Sequence, residues 1–286
     1  MRMLPRLVFL TAATLTLSAC GASAASPDLS IPHPDDASKQ VEYFLEQPAG
    51  HGPWPTMVLL HGHQEGSRPG GKDFVDWGVL KQMANRGYLA VSVSQPGYGN
   101  SSGPADFSGP STQHAVSAVI AKLRADGLAS RERLVIQGIS RGALVAGLIA
   151  AQDPSISGLV LISGVYDVPA YVADSHAGVE KAAVIASIIA ETGGMADALM
   201  ARSLLRPDVA INASVLILNG AQDDRTDPDQ ARAFARHVAR GGGNARAIIY
   251  ADVGHRIPID VRSKDIDSFI DGVLNAATAC TARACS

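Results

Sequence analysis

Cysteine is scarce in this chain of 286 residues, with three in all, at positions 20, 280 and 285. That count excludes a scaffold stapled by many disulfides and a cysteine-rich zinc cluster. Charged residues make up only 18% and aromatic ones 5%. Neither sign of charge dominates, since 24 Lys and Arg stand against 27 Asp and Glu for a net charge of −3. No block of like charges breaks this balance, so the electrostatic footprint of a nucleic-acid binder is missing and no nucleic-acid partner is expected. Internal repeats are absent as well. With 47% hydrophobic residues, the chain is neither disordered, collagen-like nor a coiled coil. Glycine, at 28 residues, is abundant and points to close-packed backbone. The length leaves one large domain or two small ones open and suffices for a sizeable core.

The one apolar run of note lies at the start. Arg2 and Arg6 precede it, and it extends over residues 7–17. This is the charged n-region and short h-region of a secretory signal, 1–19, too short for a membrane span. The run closes on Leu17-Ser18-Ala19-Cys20-Gly21, which resembles the lipobox of bacterial lipoproteins. The resemblance implies that Cys20 is acylated, becomes the mature N-terminus and anchors the chain to the bacterial cell envelope without a spanning helix. Gly21 in place of Asp leans toward the outer membrane. An ordinary cleaved signal with an incidental Cys20 is the other reading. Cys280 and Cys285 then remain as a pair. In an oxidising compartment a disulfide is expected of them, closing a short loop that pins the tail, with two free thiols as the alternative. Residues 20–38, rich in Ser, Ala, Pro and Asp, read as a flexible tether, and 39–286 as the folded body.

In that body strand-like and helix-like stretches alternate. Strands are expected at 41–45, 56–60, 89–94, 134–137, 159–163, 215–219 and 245–250. Helices are expected at 73–85, 112–125, 229–240 and 263–275, with a further one of small residues running to 152. Over 112–125 the residues Val116, Val119, Ile120 and Leu123 fall on one helical face. Strand runs without polar alternation indicate burial on both faces, hence a mostly parallel central sheet flanked by crossover helices. Only 166–208 breaks the alternation. Two helical pieces, 179–191 and 195–205, are split there by Gly193-Gly194. We read the segment as a small helical cap insertion over the C-terminal edge of the sheet.

The most informative segment is Gly138-Ile139-Ser140-Arg141-Gly142. G-x-S-x-G between a strand and a helix forms a turn too tight for side chains at its glycines, which lifts the serine hydroxyl above the sheet edge. The N-terminus of the following helix favours negative charge developing near Ser140. A serine hydroxyl needs a neighbouring base to become a nucleophile. Two later strand-to-loop junctions carry the residue types such a base and its partner require: Gly220-Ala221-Gln222-Asp223-Asp224-Arg225 and Ala251-Asp252-Val253-Gly254-His255.

The succession of a His61-Gly62 turn, PGYGNSSG at 96–103, GISRGA at 138–143, GAQDDRTDP at 220–228 and VGH at 253–255 resembles the α/β-hydrolase superfamily. Within it, the chain is most similar to the catalytic domain of prolyl-oligopeptidase-like enzymes and related small esterases. The resemblance covers about residues 40–275. It implies an α/β-hydrolase fold, no cofactor, and a triad in chain order of serine, acid and histidine. On that reading Ser140 is the nucleophile, His255 takes its proton and Asp223 orients His255, with Asp224 and Asp167 as alternative acids. An oxyanion hole requires two backbone N–H groups, which the resemblance places at Arg141 and, through the His61-Gly62-His63-Gln64 turn, at His63. Asp223-Asp224-Arg225 matches the family's acid loop, whereas Thr226-Asp227-Pro228 departs from its hydrophobic step. Space for the β-propeller of the larger peptidases is lacking, so ester hydrolysis stands beside peptide hydrolysis.

Other residues carry plainer expectations. His61-x-His63 lacks a third ligand at a recognisable spacing, so no metal is expected. His33 and His51 lie in polar Pro/Gly-rich stretches and are expected in solvent. His114 and His237 fall on helices, and His176 falls within the cap, where it could line a pocket. Asp227 before Pro228 is expected to cap a helix. Neither Gly97-x-Gly99 nor Gly241-Gly242-Gly243 precedes a helix as a nucleotide-binding loop would. The leading expectation is a serine hydrolase acting on a small ester or short peptide through an acyl-enzyme. An acyltransferase on the same scaffold and a non-catalytic, lipid-anchored binding protein are the alternatives. Oligomeric state is not readable.

Overall fold

The computed structural model describes residues 29–175 and 177–283, with side chains to residue 275. Cys20, His176 and Cys285 lie outside the described residues, as does the side chain of Cys280, and with them the expected signal, lipid site and disulfide.

Eight strands form one sheet in the order β1-β2-β4-β3-β5-β6-β7-β8. They are β1 (Leu29–His33), β2 (Asp36–Glu46), β3 (Trp54–Leu60), β4 (Leu89–Val93), β5 (Ala129–Ile139), β6 (Gly158–Ile162), β7 (Ser214–Gly220) and β8 (Ala245–Tyr250). The β1–β2 and β2–β4 pairs are antiparallel and every other pair is parallel. Side chains along a strand alternate between faces, and here both faces are dry. Val58, Leu60, Ile136, Leu161 and Ile217 enter one core, while their neighbours Met57, Leu59, Val135, Val160 and Leu216 enter the other. Continuous apolar runs in the sequence therefore encode two cores separated by a single sheet.

Each core has its own helical cover. The first is closed by α3 (Pro110–Ala125), α4 (Arg141–Ala150) and α8 (Pro228–Arg240), through residues such as Val116, Val119, Leu144 and Phe234. The second is closed by α1 (Lys72–Asp76), α2 (Val79–Asn85) and α9 (Ile259–Arg283), through Phe74, Leu80, Met83, Ile266 and Ile270. Truncating one such buried Leu or Ile to Ala costs about 2–5 kcal/mol. The stretch expected as one helix at 73–85 is two. Trp77 ends α1, and Gly78, at φ 71°, starts α2 from the left-handed region that glycine tolerates.

The tether expected at 20–38 is shorter than its composition suggests. Residues 29–38 already belong to β1, its turn and the start of β2, with Ile31 paired to Val41. Ile31 and His33 face inward while Ser30 and Pro32 face out, and proline is tolerated because β1 is an edge strand. His33, expected in solvent, is consequently buried. Its Nδ1 accepts from the Asp35 amide at 3.1 Å, and its Nε2 lies 3.1 Å from Ser111 Oγ. His51 is exposed, as expected.

Between β6 and β7 the insertion contains α5 (Val168–Val172), α6 (Val179–Thr192) and α7 (Ala196–Ala201), one helix more than the sequence suggests. It is tied to the body by polar contacts. Arg202 donates to the carbonyls of Asp106 and Phe107 at 2.9–3.1 Å. Leu204 occupies the space that a side chain at Gly147 of α4 would need, 2.4 Å from the position of its Cβ.

Candidate active site

Ser140 stands at the junction of β5 and α4 with φ 53° and ψ −116°, a backbone conformation that non-glycine residues rarely hold. Its neighbours are glycines for steric reasons. A Cβ at Gly138 would meet the Gly142 carbonyl at 2.1 Å, and one at Gly142 would meet the Leu60 carbonyl at 2.3 Å. The turn after β3 is pressed against this elbow: a Cβ at Gly62 would stand 3.2 Å from that of Ser140. Gly62 and His63 thus come beside the first turn of α4, where the Arg141 amide lies.

His255 follows β8 and faces the loop after β7. Its Nδ1 lies 3.0 and 3.1 Å from the two carboxylate oxygens of Asp223, and its carbonyl accepts from Ser163 Oγ at 2.9 Å. A carboxylate accepts, so Nδ1 carries the proton and Nε2 is the basic nitrogen. The Asp223 side chain is fully buried. Burial would raise its pKa, but the hydrogen bond and charge of His255, with the bonds from the Thr226 amide and hydroxyl, hold it below the ordinary value. Those Thr226 bonds measure 2.8 and 2.7 Å, and the Arg225 amide adds a third at 2.9 Å. The alternative acids are engaged elsewhere or exposed. Asp167 caps α5 by accepting from the Ala170 amide at 3.1 Å, and Asp224 is exposed. Asp227 caps α8, accepting from the Asp229 amide at 2.8 Å.

Ser140 and His255 line one cavity of about 680 Å³, together with Gly62, His63, Phe74 and Trp77. Cap residues Tyr171 and Val184 close part of it, and Ile257, Ile259 and Arg262 form the side toward α9.

Beneath Ser140 lies a polar layer that sequence reasoning missed. The Arg141 side chain is only 1% exposed. Its Nε donates to Gln95 Oε1 at 3.1 Å, and its Nη1 to the Tyr98 hydroxyl at 3.2 Å and to Glu191 of α6 at 3.0 Å. The guanidinium also lies over the Tyr98 and Phe107 rings, 5.2 Å from each centroid. Glu191 accepts in addition from the Phe107 amide at 2.5 Å and Ser187 Oγ at 2.9 Å. Tyr98, accepting a hydrogen bond from Arg141, has its own hydroxyl proton to donate toward His63 Nδ1 at 3.3 Å. His61 donates through Nδ1 to the Gly62 carbonyl at 2.8 Å and accepts at Nε2 from the Gln95 amide at 3.1 Å. Its pKa is pushed down to about 3, chiefly by burial and further by the charges of Arg141 and His63, against the opposing bond to Gly62. Burial and the Arg141 charge lower His63 as well. With both nitrogens of His61 engaged inside the fold, His61-x-His63 cannot act as a metal pair. Among the described residues no group of three or more His, Cys, Asp or Glu is arranged to hold a metal ion.

A mostly parallel eight-stranded sheet, a strained serine between β5 and α4, and a histidine–carboxylate pair on later loops define the class as α/β-hydrolase. The solved structures agree. The acylaminoacyl peptidase of Pyrococcus horikoshii superposes with a TM-score of 0.70 at 19% identity over 87% of this chain. A puromycin-hydrolyzing peptidase of Mycobacterium tuberculosis gives 0.69 at 20% over 90%, and an esterase of Pyrococcus furiosus 0.67 at 17% over 88%. The chain spans 42% and 41% of the two peptidases but 91% of the esterase. No curated protein matches the sequence. The sequence profile of the prolyl oligopeptidase family matches residues 79–276, and the chain belongs to that family.

Proposed function

We propose that the protein hydrolyses a carboxylic ester or short peptide bond of a small substrate through an acyl-enzyme. Ser140 Oγ attacks the carbonyl carbon while His255 Nε2 takes its proton, and Asp223 steadies the imidazolium that forms. The amides of Arg141 and His63 hold the oxyanion, where preorganised donors contribute most to the rate. His255 then returns the proton to the leaving alcohol or amine. Water, activated by the same base, releases the acid and restores Ser140. The observation that carries this reading is the pairing of His255 Nδ1 with Asp223 at 3.0–3.1 Å on a cavity that Ser140 also lines. The near-complete coverage of an esterase's length supports an ester as readily as a peptide.

A fluorophosphonate probe should label Ser140 in the folded protein, and Ser140→Ala should abolish both labelling and turnover of a nitrophenyl ester. Unlabelled wild type, or a fully active Ser140→Ala variant, overturns the assignment. Within the same proposal, the chain is exported and held to the bacterial cell envelope by acylated Cys20. Among the described residues no helix is long and apolar enough to cross a membrane. Cys20→Ser should move the protein from the membrane fraction to the soluble one.

A further inference from the structure

The charges around the cavity are unevenly matched. Of the three arginines lining it, Arg225 is paired with Glu180 of the cap. Arg256 and Arg262 have no ion pair or side-chain hydrogen bond among the described residues. Arg256 follows His255 directly and is exposed; Arg262 stands in the first turns of α9 and is half-buried. Burial lowers the pKa of the Arg262 guanidinium, and the Tyr250 hydroxyl is the one group acting the other way. Two of the three carboxylates on the cavity wall are engaged elsewhere. Glu180 holds Arg225 and Asp73 accepts from Gln64 Nε2 at 2.7 Å, while Glu65 is exposed on the turn beside His63. A guanidinium partly withdrawn from water beside Ile257 and Ile259 carries a desolvation cost that a partner anion would offset. Its planar fork matches the two oxygens of a carboxylate.

We propose that the α9 side of the cavity is a carboxylate subsite, in which Arg262, with Arg256 at its mouth, receives a free carboxylate of the substrate. The preferred substrate is then an ester or amide that also bears a negative charge: a half-ester of a dicarboxylic acid, or a bond whose leaving group is itself an acid. This inference rests on the Ser140 hydrolase reading and adds the substrate class to it.

Two matched substrate pairs test it. The first places the charge on the acyl side, as mono-para-nitrophenyl glutarate against para-nitrophenyl pentanoate. The second places it on the leaving group, as para-acetoxybenzoate against para-acetoxybenzamide. The wild type should favour the charged member of at least one pair by about tenfold or more in kcat/KM, as a charge-assisted bond supplies. Arg262→Ala with Arg256→Ala should bring that ratio close to unity, Arg262→Lys should retain part of it, and Arg262→Glu should invert it. Turnover of the neutral esters with Ser140 labelled, but no charge preference in either pair, overturns the subsite alone. So does a preference that survives the double variant. No turnover of any of the four and no labelling of Ser140 removes the hydrolase reading, and the subsite with it.

Discussion

The buried layer beneath Ser140 and the cavity wall that α1 and α9 supply are built on different principles. Beneath Ser140 the polar groups are largely buried and joined: Arg141 at 1% exposure, Glu191, Tyr98, Gln95 and His61 form one connected set of hydrogen bonds, in which Arg141 Nη2 has no partner. Toward α1 and α9 the wall is loose, with Trp77 54% and Ile259 58% exposed and two arginines without an ion pair among the described residues. The first arrangement suits chemistry, because donors fixed before the reaction need no reorganisation when charge develops. The second suits recognition, because a group still in search of a partner can distinguish one substrate from another. On the proposed reading, preorganisation lies in the buried layer and selectivity on the cavity wall.

The sharpest test of the fixed side is its carboxylate. Asp223→Asn keeps the shape but turns the wrong tautomer of His255 toward Ser140, so kcat should fall by about 10⁴. Asp224→Asn and Asp167→Asn should stay within about tenfold of wild type, since neither touches His255. Steady-state kinetics of the three variants would erase the distinction if all fell together. Next in size is the pair that joins the cap to the elbow. Glu191→Ala leaves the Arg141 guanidinium buried with only ring faces and neutral acceptors, and urea unfolding should register a loss of about 3–5 kcal/mol. Exchanging both partners for apolar residues, Arg141→Met with Glu191→Leu, should cost less than the single change. A single variant as stable as wild type would show that the floor is not held by this pair.

What could be read from the sequence divides along the same line. The elbow was legible because its glycines are demanded by contacts of 2.1–2.3 Å with neighbouring backbone, and a steric demand of that kind leaves a fixed spacing. The parallel sheet was legible because strands buried on both faces write unbroken apolar runs. His255 and Asp223 were assigned as positions after strands, Asp223 ahead of Asp224 by its distance from the glycine that ends β7, and their side chains lie 3.0–3.1 Å apart. The Arg141 side chain was not, because its partners Gln95, Tyr98 and Glu191 are 46, 43 and 50 residues away in sequence, and a buried ion pair has no local pattern. Tyr98 was visible only as part of a Gly-rich turn. The edge strand β1 was missed for a related reason. With two inward residues, Ile31 and His33, its alternation is too short to separate from a Pro/Ser-rich linker.

His61 provides a pH-dependent measure of the fixed side. In the unfolded chain its imidazole takes up a proton as pH falls below about 6.5, whereas in the fold it stays neutral until about 3. Between those values the unfolded state binds the extra proton, so stability must fall as pH falls, by about 1.4 kcal/mol per pH unit from this one group. His61→Gln should remove that contribution, giving a shallower decline of unfolding free energy between pH 6 and pH 4 in urea titrations (an interval set by those two values). Parallel curves for variant and wild type would mean that His61 is charged in the fold, and the bonds at Gln95 and Gly62 would then be wrongly assigned.

The smallest effect belongs to the open wall. Trp77 ends α1, meets Phe74 edge-on at 5.5 Å and otherwise projects over the cavity. An edge-to-face aromatic pair contributes about 0.5–1.5 kcal/mol, so Trp77→Ala should lower stability by no more than about that. Its loss should raise KM by a few-fold, through apolar area no longer covered when substrate enters, and move kcat by less. The small loss of stability contrasts with the loss of about 3–5 kcal/mol expected for Glu191→Ala. If Trp77→Ala instead lowers kcat with KM unchanged, the indole acts on the transition state and the open wall takes part in the chemistry. The separation of buried layer from cavity wall would then fail, because the same side chains would both choose the substrate and accelerate its cleavage.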